Sequence, residues 1–229
     1  SAMRELRYVP NMLARTFREG RSAVIGIAVP DVADPFFAAV TKGIELAARA
    51  HDMAIVVTSL GDNPSLEQSI IETTVRRQID GLIIAPIAAD QSYLSRWQDS
   101  FPIVFIDRIP TKLTADYFVE DDFGGAFDAT QHLIAHGHRR IAIVGDSTDV
   151  PTTKLRLEGY LAALADAGLN SDEELIALGS RDTDAAAHVC KTLLALPDAP
   201  TAIFSSNARF STGVFPALQA LKRTDIALI

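Results

Sequence analysis

Nine short apolar runs alternate with helix-patterned segments along this chain, and that alternation limits the fold more than any other feature. The runs are Val24–Val29, Ala54–Thr58, Gly81–Ala85, Ile103–Ile106, Tyr117–Val119, Ile141–Val144, Leu175–Leu178, Ala202–Phe204 and Ile226–Ile229. They are rich in Ile, Val, Leu and Ala and continuous rather than alternating with polar residues, as strands buried on both faces must be. Strand and helix signals in alternation imply an α/β fold built on parallel sheet. With 229 residues, 48% of them hydrophobic, the chain can bury one large core or two smaller ones.

Helix starts and stops are marked. Asp34 suits an N-cap with Pro35 at the first helical position, and Phe36, Val40, Gly43, Ile44 and Ala47 follow in a helical stripe. Asn63-Pro64 repeats the device before Leu66, Ile70 and Val75. Phe123–His136 ends at Gly137 and Lys154–Ala167 at Gly168, two glycines placed to stop a helix. Ala185–Leu196 and Asn207–Leu221 are the last two expected helices. The rhythm breaks at Ile109–Asp122, where a polar loop precedes a short strand. That break predicts a crossover between two lobes, 22–120 and 121–229, with a ligand site where the carboxyl ends of the strands face each other.

Charge separates the N-terminal end from the rest. The chain is acidic, at −8, which disfavours contact with nucleic acid. Residues 4–21 are the exception, with Arg4, Arg7, Arg15, Arg18 and Arg21 against Glu5 and Glu19. Pro10 and Gly20 bracket a short helical pattern there, with Leu13, Ala14 and Phe17 on one face. A helix so short is marginal in water without a partner. Two readings stay open on these residues: a helix packed on its own domain, or an apolar wedge among arginines of the kind a minor groove accepts.

Several chemistries lack their residues. No Gly-rich phosphate loop follows a strand, which argues against a nucleotide or dinucleotide cofactor, so none is expected. No nucleophile elbow or Ser–His or Cys–His arrangement stands out, and no catalytic residue is assigned. Asp121-Asp122 and Asp31 with Asp34 are the available carboxylate pairs, the latter better read as turn and cap. His132, His136 and His138 cluster, but a zinc site wants further ligands, and imidazoles also suit a helix C-terminus. No metal is expected. Cys190 is the only cysteine, which fits a reducing compartment. No run is long and apolar enough to span a bilayer, and no secretory signal precedes the first strand.

Tyr8-Val9-Pro10-Asn11 followed by Ala14-Arg15 resembles the hinge-helix signature of the lactose/galactose-repressor family of bacterial transcription regulators. The rest keeps that family's order: Val24-Ile25-Gly26-Ile27 and Asp34-Pro35-Phe36-Phe37, Gly81-Leu82-Ile83-Ile84, Phe105-Ile106-Asp107-Arg108, Gly137-His138-Arg139-Arg140-Ile141, Arg156-Leu157-Glu158-Gly159-Tyr160, and Ser206-Asn207 with Gly213. The resemblance implies a two-lobed, periplasmic-binding-protein-like fold, each lobe a parallel sheet flanked by helices. It implies an effector-binding core that lacks its helix-turn-helix head and its tail. Residues 1–21 would then be the hinge region, touching operator DNA through Tyr8, Pro10, Asn11, Ala14, Arg15 and Phe17, the last where relatives usually have a leucine wedge.

Carried over position by position, the resemblance also implies effector-binding residues. Phe36 and Phe37 offer aromatic faces, with Phe37 expected to face the ligand. Asp107 would accept hydroxyl hydrogens, Arg156 would donate to adjacent oxygens, and Asn207 offers both a donor and an acceptor. Ser59, Arg108, Asp121 and Arg209 are second-tier candidates. The implied protein is a cytoplasmic, homodimeric, non-enzymatic repressor under allosteric control by a sugar-like effector. A solute-binding protein of a sugar transporter, sharing the bilobal fold, is the alternative.

Overall fold

The computed structural model describes residues 22–229 apart from residue 181. The hinge residues Tyr8, Pro10, Asn11, Ala14, Arg15 and Phe17 lie outside the described residues. The described chain divides into two compact units, 22–32 with 39–117, and 33–38 with 118–229.

The first unit holds β1 (Val24–Val29), β2 (Ala54–Ser59), β3 (Gly81–Ile84), β4 (Ile103–Ile106) and β5 (Asp116–Phe118) in the order β2-β1-β3-β4-β5. The β1/β2, β1/β3 and β3/β4 pairs are parallel. Helix α1 (Pro35–Ala50) connects β1 to β2, and α2 (Glu67–Val75) connects β2 to β3. The expected caps are present. Asp34 Oδ1 accepts from the Phe36 amide at 2.9 Å, and Asn63 Oδ1 accepts from the Ser65 amide at 3.1 Å. Pro64 starts a 3-10 turn, Pro64–Leu66, rather than α2 itself. The C-terminal side of α2 is tied to β1 by Asp80, which accepts from the Ser22 and Ala23 amides.

The second unit holds β6 (Ile141–Val144), β7 (Ile176–Ala177), β8 (Ala202–Ser205) and β9 (Ala227–Leu228), all parallel, in the order β7-β6-β8-β9. Around them run α3 (Asp122–Ala135), α4 (Pro151–Asp166), α5 (Thr183–Leu194) and α6 (Ala208–Ala220). Strand β6 shows why its sequence is apolar at every position. Ala142 and Val144 pack with Cys190, Phe210 and Val214 of α5 and α6, while Ile141 and Ile143 pack with Tyr160 and Leu164 of α4. Side chains alternate between faces, so a strand with a core on both sides needs apolar residues throughout. Gly137 (φ 91°) and Gly168 (φ 66°) take the left-handed backbone that ends a helix cheaply only at glycine.

Close packing fixes two more glycines. A Cβ on Gly159 of α4 would stand 2.3 Å from the Phe123 carbonyl oxygen of α3. One on Gly213 of α6 would stand 2.2 Å from the Thr183 carbonyl oxygen of α5. Both helix pairs approach at backbone distance, which only glycine permits.

Candidate functional site

In each unit the chain runs from the first strand to one side of the sheet and then returns to the other side. The reversal falls between β1 and β3 in the first unit and between β6 and β8 in the second. Loops at the carboxyl ends of strands beside such a reversal splay apart and leave a crevice.

In the first unit Asp107 and Arg108 follow β4 and Ser59 ends β2, the strands on either side of that β1/β3 pair. Asp107 follows β4 directly, is 7% exposed and takes a left-handed backbone, φ 66°. Such a conformation costs a non-glycine residue free energy and persists only where its surroundings enforce it. Arg108 Nε lies 2.9 Å from Asp107 Oδ2, and Arg108 Nη1 donates to the Pro86 carbonyl beyond β3 at 2.8 Å. Arg108 thus ties the β3 and β4 loops together. Ser59 Oγ accepts from the Val32 amide at 3.1 Å, bracing the loop after β1.

The two phenylalanines differ in burial. Phe37 is buried at 6% exposure and Phe36 is the more open ring; they meet edge to face, centroids 5.0 Å apart. Helical spacing explains it, because Phe37, Thr41, Ile44 and Ala48 fall on one stripe of α1, and Phe36 sits about 100° away.

In the second unit α4 aims Arg156 at the N-terminus of α3. Its Nε and Nη2 both lie 2.6 Å from Oδ1 of Asp122, whose side chain is 4% exposed. Its Nη1 donates to the Ser206 carbonyl at 2.6 Å. Asp121, next to it, caps α3 by accepting from the Gly124 amide at 2.8 Å. The two adjacent carboxylates therefore have separate tasks and do not form an acid–base pair. Asn207 caps α6, its Oδ1 accepting from the Phe210 amide at 3.0 Å. That engages the acceptor side of the amide and leaves the donor side without a partner among the described residues. Arg209, two residues further, donates from Nη2 to Asp146 Oδ2 at 3.0 Å.

Sequence reasoning missed two residues at this edge. Ser180, which follows β7, and Ser206, which follows β8, are 4% and 6% exposed. Among the described residues their hydroxyls are buried without hydrogen-bond partners, as is the Arg209 Nε. Both adjoin Gly145 at the end of β6: the Ser180 amide donates to its carbonyl at 3.0 Å, and a Cβ on Gly145 would lie 2.7 Å from Ser206 Oγ. The available signal was a hydroxyl residue within three positions of an apolar strand's end. An orphaned buried hydroxyl costs free energy, and such a group calls for an explanation such as an absent ligand.

Other candidates resolve as structure. His136 Nδ1 lies 2.8 Å from the His132 carbonyl, and His138 Nδ1 lies 3.0 Å from Thr201 Oγ1. Among the described residues no three His, Cys, Asp or Glu side chains form a metal-sized group. None of the expected binding residues lines the open groove between β2 and α2, which is bordered by Thr58, Thr73, Thr74, Arg76 and Arg77. No described helix is long and apolar enough to cross a membrane.

Two helix-flanked parallel sheets, each with polar side chains gathered at the carboxyl edge of its strands, define the class of periplasmic-binding-protein-like effector domains. Residues 22–229 match the family model described as periplasmic binding proteins and sugar binding domain of LacI family, and the chain belongs to that family. It is 30% identical over 227 residues to the transcriptional repressor CytR of Escherichia coli K12, covering 98% of this chain and 65% of CytR. It is 29% identical over 235 residues to the ribose operon repressor of the same strain, covering 100% of this chain and 71% of that protein. A solved structure of a candidate ribose operon repressor from Burkholderia thailandensis superposes with a TM-score of 0.77 at 30% identity, covering 91% of this chain and 79% of that one. The chain thus spans about two thirds of the length of these curated relatives. The family is one of binding proteins and sugar-binding domains rather than of enzymes.

Proposed function

We propose that this chain is the effector-binding core of a DNA-binding transcriptional regulator, a repressor, controlled by a small sugar-like molecule held between its two units. One observation carries the reading beyond the fold. Similarity to CytR and to the ribose operon repressor extends over 98% and 100% of the chain, so it takes in nearly all of residues 1–21 as well as the family match at 22–229. A transporter's solute-binding protein has no use for an arginine-rich segment at that place.

In this reading residues 1–21 form the hinge, 22–120 the N-terminal lobe and 121–229 the C-terminal lobe. Tyr8, Pro10, Asn11, Ala14, Arg15 and Phe17 meet the minor groove of operator DNA, and Phe17 wedges a base step. Phe36, Phe37, Asp107, Arg108, Arg156, Asn207, Arg209, Ser59 and Asp121 hold or frame the effector. Phe36 is the better placed of the two rings to touch it, being the less buried.

The ligand acts by favouring one lobe arrangement over another, which sets the spacing of two hinges in a homodimer. Support for a second copy comes from β2, an apolar edge strand with no neighbouring strand on its outer side among the described residues, and from the exposed Leu46 and Val57 nearby in sequence. A regulator of this kind works in the cytoplasm.

Selection of genomic fragments by the full-length protein tests this. A two-fold symmetric site should be enriched, its half-sites spaced for a dimer. No enrichment of any DNA, with the natural protein found outside the cytoplasm, would assign it instead to solute capture for transport.

A further inference from the structure

We infer that Arg76 and Arg77, at the end of α2, bind the phosphate backbone of DNA and so extend its contact from the N-terminal segment onto the first unit. The inference rests on the regulator reading above and adds to it a surface outside the hinge.

Charge is the first observation. In a chain of net charge −8, an arginine usually finds an acid. Among the described residues every other arginine except Arg139 forms a salt bridge, and Arg139 donates to the Ile134 and His138 carbonyls. Arg76 and Arg77 are exposed and form none. Arg76 Nη2 donates only to Thr73 Oγ1, at 3.1 Å, while Glu72, one turn back, is taken by Gln68 and Arg96. Both arginines border the open groove between β2 and α2, whose lining holds no carboxylate. A concave surface lined by one sign of charge concentrates the opposite sign. The hydroxyls of Ser69, Thr73 and Thr74 in that groove already donate to carbonyls of their own helix or the turn before it. The guanidinium groups are therefore its donors to an anion, and an exposed arginine pair suits the phosphates of a duplex passing outside it.

Placement is the second observation. Helix α2 returns the chain from the carboxyl end of β2 to the amino end of β3, so Arg76 and Arg77 fall at the amino edge of the sheet. The same edge receives residues 4–21, with their five arginines against two glutamates. Asp80 makes that join. It accepts from the Ser22 amide at 3.0 Å, the Ser22 hydroxyl at 3.1 Å and the Ala23 amide at 2.8 Å. Arg77 is three residues from Asp80, a reach of at most about 11 Å. Phosphates recur about every 3.4 Å along each strand of B-DNA, so a duplex held by the N-terminal segment has several within that span. The acids on the loops before β1 to β4 are Asp52, Asp80 and Asp99; Asp80 is held by the groups just named, and neither of the others pairs with Arg76 or Arg77 among the described residues. Ser59, Asp107 and Arg108 lie at the opposite, carboxyl edge, so effector and backbone contacts use different ends of the unit.

Fluorescence anisotropy of the full-length protein on its selected DNA fragment, from about 100 to 400 mM NaCl, gives the slope of log Kd against the logarithm of salt concentration. Arg76→Gln/Arg77→Gln should lower that slope by about 1.8, two phosphates' worth, and weaken binding about tenfold or more at the lowest salt. The loss should be the same on a fragment of scrambled sequence, since phosphate contacts carry no sequence information. Arg76→Lys/Arg77→Lys keeps the charges and should keep most of the slope. Lys191→Gln/Lys222→Gln removes two exposed charges from the second unit and should leave the slope within about 0.3.

An unchanged slope in the glutamine variant overturns the assignment, as does a lysine variant that falls equally far. An equal fall in the Lys191/Lys222 control overturns it too, by showing a general effect of net charge. A folding defect imitates none of these results, because a smaller active fraction shifts apparent affinity without changing the slope. Wild-type protein that binds no DNA at any salt concentration contradicts the regulator reading itself.

Discussion

Arg156 and Asp122 form a buried charge pair in which two guanidinium nitrogens converge on one carboxylate oxygen at 2.6 Å. The third nitrogen holds the Ser206 carbonyl, so a single side chain joins α4, the start of α3 and the end of β8. Arg156 is thus a brace of the second unit as well as a candidate ligand contact, and its substitution must be read with that in mind. Arg156→Ala leaves Asp122 buried without its cation. The expected cost is about 3 kcal/mol, the low end of the range for a broken buried pair because Arg156 keeps some solvent exposure. Chemical denaturation of Arg156→Ala, Asp122→Asn and the double variant measures it, and the double variant should be more stable than Arg156→Ala alone.

Gly159→Ala places a methyl group against the Phe123 carbonyl and the Phe127 amide. Alanine gains about 1 kcal/mol of helix propensity, but a backbone clash cannot be relieved by a side-chain rotation. A net loss of about 1–3 kcal/mol follows, seen by calorimetry as a melting temperature lower by roughly 3–10 °C. Gly125→Ala on α3, where a Cβ meets nothing within 4 Å, is the control and should be neutral or stabilising.

Alkaline stability is set in part by two phenols. Burial, with the Glu67 charge as a lesser cause, pushes the Tyr93 phenol well above its ordinary value. Burial, helped by the Asp172 charge, does the same for Tyr160, whose hydroxyl donates to the Ile141 carbonyl at 2.7 Å. Their folded values exceed the unfolded ones, so this stabilisation is full below about pH 10 and is lost as pH rises above it. Urea midpoints at pH 8, 9.5 and 11 should fall across the last interval, and Tyr160→Phe should fall less over the same interval.

Cys190 is buried at 0% exposure, and burial pushes its thiol up to about 11. The thiolate is the reactive form, so the folded protein should resist a disulfide reagent at pH 8. One equivalent should react on unfolding in guanidinium. Fast reaction of the native protein would show that the α5–α6 core opens readily.

What the sequence disclosed and what it withheld follow from range. Strand runs, proline starts and glycine stops are local chemistry, and β1, β4 and β6 coincide with the expected spans to the residue. Strand ends shifted where pairing decides them. Leu175–Leu178 shrinks to Ile176–Ala177, and Leu175 belongs to a 3-10 turn capped by Asp172. The partners of Arg156, Arg108 and Arg209 were not legible, since an arginine reads the same whether it awaits a ligand or already holds an aspartate from another loop. For the same reason Asn207 could be foreseen as a cap, its partner lying three residues on, whereas the orphaned hydroxyls of Ser180 and Ser206 could not. Which of Phe36 and Phe37 is the more buried was not legible, because two adjacent aromatics on a helix differ only in azimuth, which the packing of the whole unit decides.

The central claim is that solute binding by the core controls affinity for DNA. It is tested most directly by fluorescence anisotropy of the full-length protein on its selected DNA fragment, with and without a saturating sugar that binds the core. The account predicts at least a tenfold change in DNA Kd, a coupling of about 1.4 kcal/mol, and the same factor in the sugar's Kd when DNA is saturating. An identical DNA Kd in both conditions would contradict it.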